Sequence, residues 1–225
     1  MKLLAILIAA ALGYFLGSVN FSIPVVKMFL GKDIRTLGSK NAGLTNTFRC
    51  AGKKCAVFTL VGDLLKGIIA VSLSRWICGL LNAGLAPDND THYIGYIAGL
   101  FAILGHVFPI YFGFKGGKGV LVGIASFLMV DPKVFCALLA IFIVIVAITK
   151  YISAGSIIGA AFCPIATLLM AWFVEGQSFG RSFLYMLLSL PMAFMVVFMH
   201  RTNIERLKNG TENKFSFKTS GTAKD

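Results

Sequence analysis

The chain has 225 residues, of which 57% are hydrophobic and only 13% are charged. Soluble domains carry roughly 25% charged residues, so about half of the usual charged surface is missing. The composition therefore excludes an ordinary water-soluble domain. It predicts an integral membrane protein, because lipid can cover apolar helix faces that water cannot.

Basic residues outnumber acidic ones by 21 to 9, which gives a net charge of +12. Most lie between or after apolar runs, a pattern that orients membrane helices and attracts anionic partners. No nucleic-acid motif accompanies them, so we expect no nucleic-acid partner. The five cysteines have neither metal-site nor disulfide-framework spacing, and we predict no cofactor.

Seven apolar runs follow one another along the chain, and a spanning helix needs about 20 such residues. We predict an all-α polytopic membrane protein with about seven transmembrane helices in one domain, residues 1–225. The fourth and fifth runs are short, and a turn at residues 131–133 separates them. The runs cover residues 3–26, 56–80, 94–112, 119–130, 134–149, 152–174 and 183–199.

The first run also has features of a signal peptide, with a basic start and three alanines at positions 9–11. The apolar sequence continues to Val26, however, which is long enough to span a membrane. We therefore assign it as the first helix.

The basic residues concentrate in the loops on one side of this helix order. The positive-inside rule makes that side cytoplasmic. It places the N-terminus outside and residues 201–225 in a cytoplasmic tail, which requires an odd number of helices. Sixteen of the 21 basic residues belong to the cytoplasmic set: Lys27, Lys32, Arg35, Lys40, Arg49, Lys53, Lys54, Lys115, Lys118, Lys150, Arg201, Arg206, Lys208, Lys214, Lys218 and Lys224.

The first cytoplasmic loop combines small residues, neutral hydrogen-bonding side chains and basic groups. Small residues let backbone N–H groups converge, and guanidinium groups add charge-assisted hydrogen bonds. This inventory suits a phosphate or carboxylate, although a basic loop that anchors to anionic lipid has a similar composition. The positions are Arg35, Gly38, Ser39, Lys40, Asn41, Gly43, Thr45, Asn46 and Arg49.

Two ionisable residues, Asp63 and Lys66, lie three positions apart on one face of the second span. Ionisable groups inside a membrane are costly and face a partner or a cavity. The sequence leaves open whether the two form a structural ion pair or line a site.

The second cytoplasmic loop ends in Lys115-Gly116-Gly117-Lys118-Gly119, directly before an apolar helix. Unpaired N–H groups and the helix dipole at such a start favour an anion. The string is not a Walker A loop, because no hydroxyl residue follows Lys118, so we expect no ATP hydrolysis. His106, at the end of the third helix, is either a structural histidine or a proton acceptor.

A third polar cluster follows the last span, where His200 and Asn203 share one face if the helix continues. Ser153 and Ser156 begin the sixth helix on the same side. A polar helix end would explain the tail alone. However, three clusters that are distant in sequence share the same combination of small, hydrogen-bonding and basic residues. Together they predict a common anion-binding site at the cytoplasmic face.

These strings, in this order, resemble the motifs of the bacterial acyl-phosphate-dependent glycerol-3-phosphate acyltransferase family. The resemblance extends from Gly17-Ser18 to Lys214. The matching strings are Asp33-Ile34-Arg35, Gly38-Ser39-Lys40-Asn41, Thr45-Asn46 with Arg49, Asp63 with Lys66-Gly67, Gly105-His106 with Phe108-Pro109, Gly116-Gly117-Lys118-Gly119-Val120, and His200, Asn203-Ile204, Arg206-Leu207 and Gly210-Thr211-Glu212.

The resemblance implies an enzyme of phospholipid synthesis in the bacterial inner membrane, with its active site facing the cytoplasm. The sn-1 hydroxyl of glycerol 3-phosphate would attack the carbonyl of a fatty acyl phosphate. The products would be 1-acylglycerol 3-phosphate (lysophosphatidic acid) and phosphate. We expect these two substrates and membrane lipid as partners, no cofactor and a monomer.

Given the resemblance, we expect catalytic roles for Ser39, Arg49, His106 and Lys118. Lys118, together with Lys115 and the backbone of Gly116, Gly117 and Gly119, would hold one phosphate. The first loop would surround the other, and Ser156, His200 and Asn203 would line the glycerol side. The first-loop set is Ser39, Asn41, Gly43, Thr45, Asn46 and Arg49.

The proton acceptor stays open among His106, His200 and a substrate phosphate. A Ser39 acyl-enzyme is a further alternative, but no base lies nearby in sequence to activate that serine. Two other functions use similar loops. A transporter of organic phosphates would bind near mid-membrane between inverted repeats, and a lipid-binding scaffold would need the charge without the glycine-rich geometry.

Overall fold

The structure is a computed structural model that describes residues 1–81 and 90–215. Over these ranges the protein is all-helical, which confirms the predicted fold class. Short 3-10 helices at Ile34–Thr36 and Ile110–Phe112 and a π-helical turn at Met170–Val174 accompany the α-helices. The α-helices are α1 Lys2–Gly17, α2 Ser22–Leu30, α3 Leu44–Leu80, α4 His92–Val107, α5 Val120–Val130, α6 Pro132–Thr149, α7 Ile152–Leu169, α8 Phe179–Met199 and α9 Arg201–Lys208.

Six segments of the described chain are long and apolar enough to cross a membrane. The remaining predicted span, residues 119–130, forms only the eleven-residue helix α5. At about 1.5 Å per residue it is shorter than a hydrocarbon core of about 30 Å. Seven crossings and the inside–outside orientation stay predictions. The six long segments are Lys2–Leu30, Leu44–Leu80, His92–Phe112, Pro132–Thr149, Ile152–Val174 and Phe179–Met199.

The sequence fixes both ends of α5. Gly119 precedes it in the left-handed conformation, at φ 82°. At its other end, the Asp131 carboxylate caps α6 by accepting hydrogen bonds from the amides of Lys133 and Val134, both at 3.0 Å. Between these ends α5 packs against α3 and α4.

The first apolar run is broken rather than continuous. α1 ends at Gly17 and α2 begins at Ser22, with the fully buried Asn20 between them. The Asn20 amide donates to the carbonyl of Ala42 at 3.1 Å and accepts from the Ser22 hydroxyl at 2.7 Å. This amide connects the break to the polar loop at residues 31–43, called the first loop below.

Small residues allow α1 and α4 to pack in close contact at the centre of the bundle. A Cβ atom at Gly17 would overlap the backbone of Ala102, and one at Gly105 would overlap the backbone of Tyr14. Close approach through small residues is typical of membrane helix pairs, where van der Waals packing drives association. α6 buries far less of its surface, as expected of a helix that faces lipid.

The loops that carry the predicted polar clusters meet at one end of the bundle. There α9 continues from α8, and the amide of Phe215 donates to the carbonyl of Lys150 at 2.7 Å. Residues 201–215 of the predicted tail therefore pack against the bundle. Residues 216–225 lie outside the described residues, and the division into one domain with a tail stays a prediction.

Candidate active site

A cavity of about 810 Å³ opens at the end of the bundle where the polar loops meet. The first loop, the starts of α3, α5 and α7, and residues 200–215 form its polar mouth. Most of the predicted site residues are brought together here. Those that line the cavity are Ser39, Asn41, Gly43, Thr45, Asn46, Arg49, His106, Lys118, Gly119, Ser156, His200 and Asn203.

Three helices begin at the wall of this cavity: α3 after Gly43, α5 after Gly119 and α7 after Tyr151. The first-turn N–H groups of a helix have no partner within the helix, and the dipole makes that end positive. None of the three has a side-chain cap. Their amides and dipoles therefore favour an anion in the cavity.

Asn46 organises the first loop from the inside. It is 2% exposed, and its Nδ2 donates to the carbonyls of Leu37 at 3.0 Å and Asn41 at 3.1 Å. Its Oδ1 accepts from the amide of Ser39 at 3.0 Å. The Asn46 side chain is thus occupied by the loop, and it holds Ser39 and Asn41 at the cavity.

Arg35 links the first loop to residues 108–119, the second loop. Its guanidinium pairs with Asp33 at 2.7 Å and donates to the carbonyl of Phe112 at 2.6 Å. The side-chain hydrogen bond from Arg35 holds the pKa of Asp33 below its usual value. This arginine is therefore already occupied by a structural contact.

Arg49 differs from Arg35 in having no such partner. It lies half-buried on α3 at the cavity wall. Within residues 1–81 and 90–215, no hydrogen bond or ion pair engages its guanidinium. A free guanidinium in a partly buried position is suited to bidentate contact with a phosphate.

The second loop differs from the predicted anion cradle. The amide of Gly116 donates to the carbonyl of Val107 at 3.0 Å, and that of Gly117 to the carbonyl of His106 at 3.1 Å. These bonds satisfy carbonyls that the end of α4 leaves unpaired. Lys115 is exposed, and neither it nor the two glycines lines the cavity.

Lys118 belongs to a hydrogen-bonded chain across the mouth of the cavity. Its Nζ donates to Oδ1 of Asn203, and Nδ2 of Asn203 donates to Oε1 of Glu212 at 2.8 Å. The Ser153 hydroxyl reaches the same oxygen at 2.9 Å, and Arg206 Nε reaches Oε2 at 2.7 Å. These hydrogen bonds join the second loop to α7, α9 and the tail.

The charges in this hydrogen-bonded chain respond to burial and to each other. Burial and, to a lesser extent, the nearby Arg206 lower the pKa of Lys118, Glu212 opposes them, and the resulting pKa is about 8. Burial alone would raise the pKa of Glu212, but hydrogen bonds from Arg206, Asn203 and Ser153 bring it below its ordinary value. At neutral pH the cavity mouth therefore holds a Lys118 ammonium and a Glu212 carboxylate.

His200 is buried beside this hydrogen-bonded chain. Its Nδ1 lies 2.7 Å from the carbonyl oxygen of Val196, so Nδ1–H donates and Nε2 is left as an acceptor. Burial lowers the pKa of His200, the hydrogen bond to the Val196 carbonyl opposes this shift and Lys118 adds to it, and the resulting pKa is about 4. The imidazole is therefore neutral at pH 7.

Asp63 and Lys66 form a buried ion pair that also borders the cavity. Lys66 Nζ lies 2.7 Å from Asp63 Oδ1, 2.8 Å from the carbonyl oxygen of Val19 and 2.9 Å from His106 Nδ1. Asp63 and His106 both line the cavity wall. The sequence left open whether these residues form a structural ion pair or line a site. In the structure they form the ion pair, and Asp63 also lines the cavity.

An apolar branch continues the cavity away from its polar mouth, along α5 and α6. The α5 positions extend eight residues beyond Val120, or about 12 Å. Such a branch, next to the lipid-facing α6, fits a hydrocarbon chain. Its residues are Val120, Leu121, Ile124, Ala125, Leu128, Phe135, Leu139 and Phe142.

Among the cavity residues that were not predicted as site residues are five from the tail: Arg206, Glu212, Asn213, Lys214 and Phe215. Glu212 belonged to a matching string, and a carboxylate in a segment rich in basic residues could have indicated a partner for those cations. Phe215 carries no such signal. Within the described residues, no cluster of histidine, cysteine and carboxylate side chains could hold a metal ion.

Comparison with known proteins agrees with this geometry. Residues 7–210 match the family model described as glycerol-3-phosphate acyltransferase. A glycerol-3-phosphate acyltransferase of Clostridioides difficile (strain 630) is 38% identical over 218 residues, covering 97% of this chain and 99% of that protein.

Two solved structures of PlsY (YgiH), an integral membrane glycerol 3-phosphate acyltransferase, have a similar fold. The glycerol 3-phosphate form has a TM-score of 0.76 and 29% identity, covering 94% of this chain and 96% of that one. The lysophosphatidic acid form has a TM-score of 0.74 at the same identity, covering 94% and 95%.

Proposed function

The chain belongs to the glycerol-3-phosphate acyltransferase family, and from that premise we propose that its acyl donor is an acyl phosphate. The acyl group passes to the sn-1 hydroxyl of glycerol 3-phosphate. The products are 1-acylglycerol 3-phosphate (lysophosphatidic acid) and inorganic phosphate, in the membrane synthesis of phospholipids.

The observation that carries this proposal is one cavity with a cationic mouth and an apolar branch. An acyl phosphate has the matching shape, a dianionic head on a hydrocarbon chain. Three uncapped helix starts and the side chains of Arg49 and Lys118 supply positive potential at the mouth. Two phosphorylated substrates need such screening to approach each other.

We assign the first loop and Arg49 to one phosphate, and Lys118 with the start of α5 to the other. His200, Asn203 and Ser156 line the glycerol side. Ser39, Asn41 and Thr45 add hydrogen-bonding groups at the mouth. Lys115, Gly116 and Gly117 are left out of this assignment, because they do not line the cavity.

The reaction needs positioning more than activation, because an acyl phosphate is already a reactive mixed anhydride. The hydroxyl oxygen bonds to the acyl carbon, and the carbon–oxygen bond to phosphate breaks with its electrons going to the phosphate. The hydroxyl proton goes to that phosphate. A phosphate, with a second pKa of about 6, is a stronger base than His200, with a pKa of about 4.

Direct transfer is favoured over an acyl-enzyme on Ser39. Ser39 is exposed at the mouth, and no base hydrogen-bonds its hydroxyl within the residues that the structure describes. A serine needs such a base to become a nucleophile. Because one chain supplies the whole mouth and branch, we also propose that the enzyme works as a monomer, with its mouth at the cytoplasmic face.

Purified protein in lipid nanodiscs tests the donor and the position of transfer. We expect lysophosphatidic acid from glycerol 3-phosphate with palmitoyl phosphate, and at least about a hundredfold less with palmitoyl-CoA or a carrier-protein thioester. The 2-deoxy analogue of glycerol 3-phosphate should be acylated and the 1-deoxy analogue should not. Efficient use of a thioester, or acylation of the 1-deoxy analogue, would overturn the proposal.

A further inference from the structure

We infer that the buried Lys66–Asp63 pair fixes His106 in its Nε2–H tautomer, so that His106 donates a hydrogen bond to the phosphate beside Lys118. His106 is then a donor to substrate, and Lys66 and Asp63 are positioning residues. The inference rests on the proposed function, and it assigns the phosphate beside Lys118 to the acyl donor, because the apolar branch begins at Val120 of the same helix start.

The hydrogen bonds of Lys66 determine the tautomer. A lysine ammonium has three donors and no acceptor. Its three neighbours are Asp63 Oδ1 at 2.7 Å, the Val19 carbonyl at 2.8 Å and His106 Nδ1 at 2.9 Å. His106 Nδ1 must therefore accept, and in a neutral imidazole the proton then resides on Nε2.

The other tautomer has no acceptor in reach. An Nδ1–H would point at the Lys66 ammonium, and Asp63 Oδ1 lies 3.8 Å from Nδ1, beyond hydrogen-bond length. That oxygen already accepts from Lys66 and from the amide of Phe21 at 3.5 Å. A doubly protonated imidazole also carries an Nδ1–H, which would point at the same Lys66 ammonium.

The free donor lies behind the Lys118 turn. His106 lines the cavity, and its Nε2 has no hydrogen-bond partner among the described residues. Nε2 is the nearest atom that a Cβ at Gly117 would meet, and the two would overlap. Glycine at this position therefore leaves the space into which Nε2–H can reach, next to Lys118.

A fixed neutral donor at this place acts mainly in the transition state. Negative charge grows on the phosphate as its bond to the acyl carbon breaks. A hydrogen bond that strengthens during this change lowers the barrier, whereas equal binding of substrate and transition state would not. Loss of the tautomer should therefore lower kcat more than it changes the KM for acyl phosphate.

Two double variants separate the hydrogen bond from the fold. Asp63→Leu with Lys66→Met removes the donor and leaves no unpaired buried charge, an exchange that membrane and soluble cores often tolerate. Asp63→Asn with Lys66→Gln places a neutral amide donor on the side of the pair that faces His106 Nδ1. We expect kcat to fall at least about tenfold in the first and to be largely restored in the second, with similar thermal midpoints in both.

The tautomer is read without substrate, by nitrogen-15 NMR of labelled histidine, using His106→Gln to assign the signal among the three histidines. We expect an Nε2–H signature in the wild type and in the Asn/Gln pair, and a tautomer mixture in the Leu/Met pair. An Nδ1–H or imidazolium signature in the wild type, or full kcat in the Leu/Met pair, overturns the inference. Failure of the proposed function would appear separately, as a wild type that does not use acyl phosphate.

Discussion

Lys118 is a cation whose charge changes within the range of pH where enzymes are assayed. Burial holds its pKa at about 8, so the side chain is charged below this pH and neutral above it. In the proposed function this charge screens a phosphate, so binding should weaken as the proton is lost. We therefore predict that acyl transfer is sensitive to alkaline conditions.

We therefore expect kcat/KM for acyl phosphate to fall about tenfold per pH unit above pH 8. Lys118→Arg should start lower but stay flat between pH 8 and 9.5, because a guanidinium keeps its proton. Initial rates across this range check the prediction. The same decline in the arginine variant would assign the titration to another group.

At the residue scale, the contrast between Lys115 and Lys118 shows what could not be predicted from the sequence. Both lysines belong to one glycine-rich string, and nothing local separates them. The end of α4 distinguishes the two lysines, because its carbonyls accept hydrogen bonds from the amides of Gly116 and Gly117. The backbone turns there, so that Lys118 lines the cavity and Lys115 does not. That depends on a tertiary contact that the string itself does not reveal.

At the scale of elements, the first loop depends on one amide. Asn46 joins three parts of the loop from the first turn of α3. Its neighbour Thr45 lines the same cavity with a hydroxyl that bonds no residue in the described ranges. Asn46 therefore serves as the structural position and Thr45 as its matched control, which faces the cavity.

Asn46→Ala should lower both stability and activity. Leaving the buried carbonyls and the Ser39 amide unpaired costs about 1–3 kcal/mol, and the loosened loop should raise the KM for the phosphorylated substrates. Thr45→Ala should affect KM alone. Thermal unfolding in detergent and steady-state kinetics check both. Equal stability of the two variants would show that Asn46 does not hold the loop.

Apolar periodicity predicted the helices well but not their interruptions. The run at residues 3–26 was predicted as one helix, although Gly17, Ser18 and Asn20 interrupt its apolar sequence. The break follows from Asn20, whose buried amide bonds Ala42 in a distant loop. α5, in contrast, was recognisable as short, because Gly119 before it and the residues 131–133 turn after it mark its ends.

At the scale of the molecule, the two ends of the bundle differ in kind. One end holds the cavity and its basic residues. The other holds contacts such as the 3.5 Å pair between Lys133 and Glu175 and the 2.8 Å bond from Arg75 to the carbonyl of Met129. The charge bias of the sequence predicts that the cavity end faces the cytoplasm.

Cysteine labelling tests this orientation. In a background without reactive native cysteines, Lys133→Cys should react with a membrane-impermeant maleimide on intact spheroplasts. Lys40→Cys, exposed at the cavity end, should react only after permeabilisation. Both positions lie outside the cavity lining, so activity should persist. The reverse labelling order would place the cavity on the outer face.

The central claim is that both phosphates meet at the mouth of one cavity. It is tested most directly by comparing acyl-phosphate turnover of Lys118→Ala and Arg49→Ala with that of Lys115→Ala, all as monodisperse protein. We predict losses of about 10²–10³-fold for the first two and turnover within about threefold of wild type for Lys115→Ala. Near-normal rates at Lys118 and Arg49, or an equal loss at Lys115, would contradict the account.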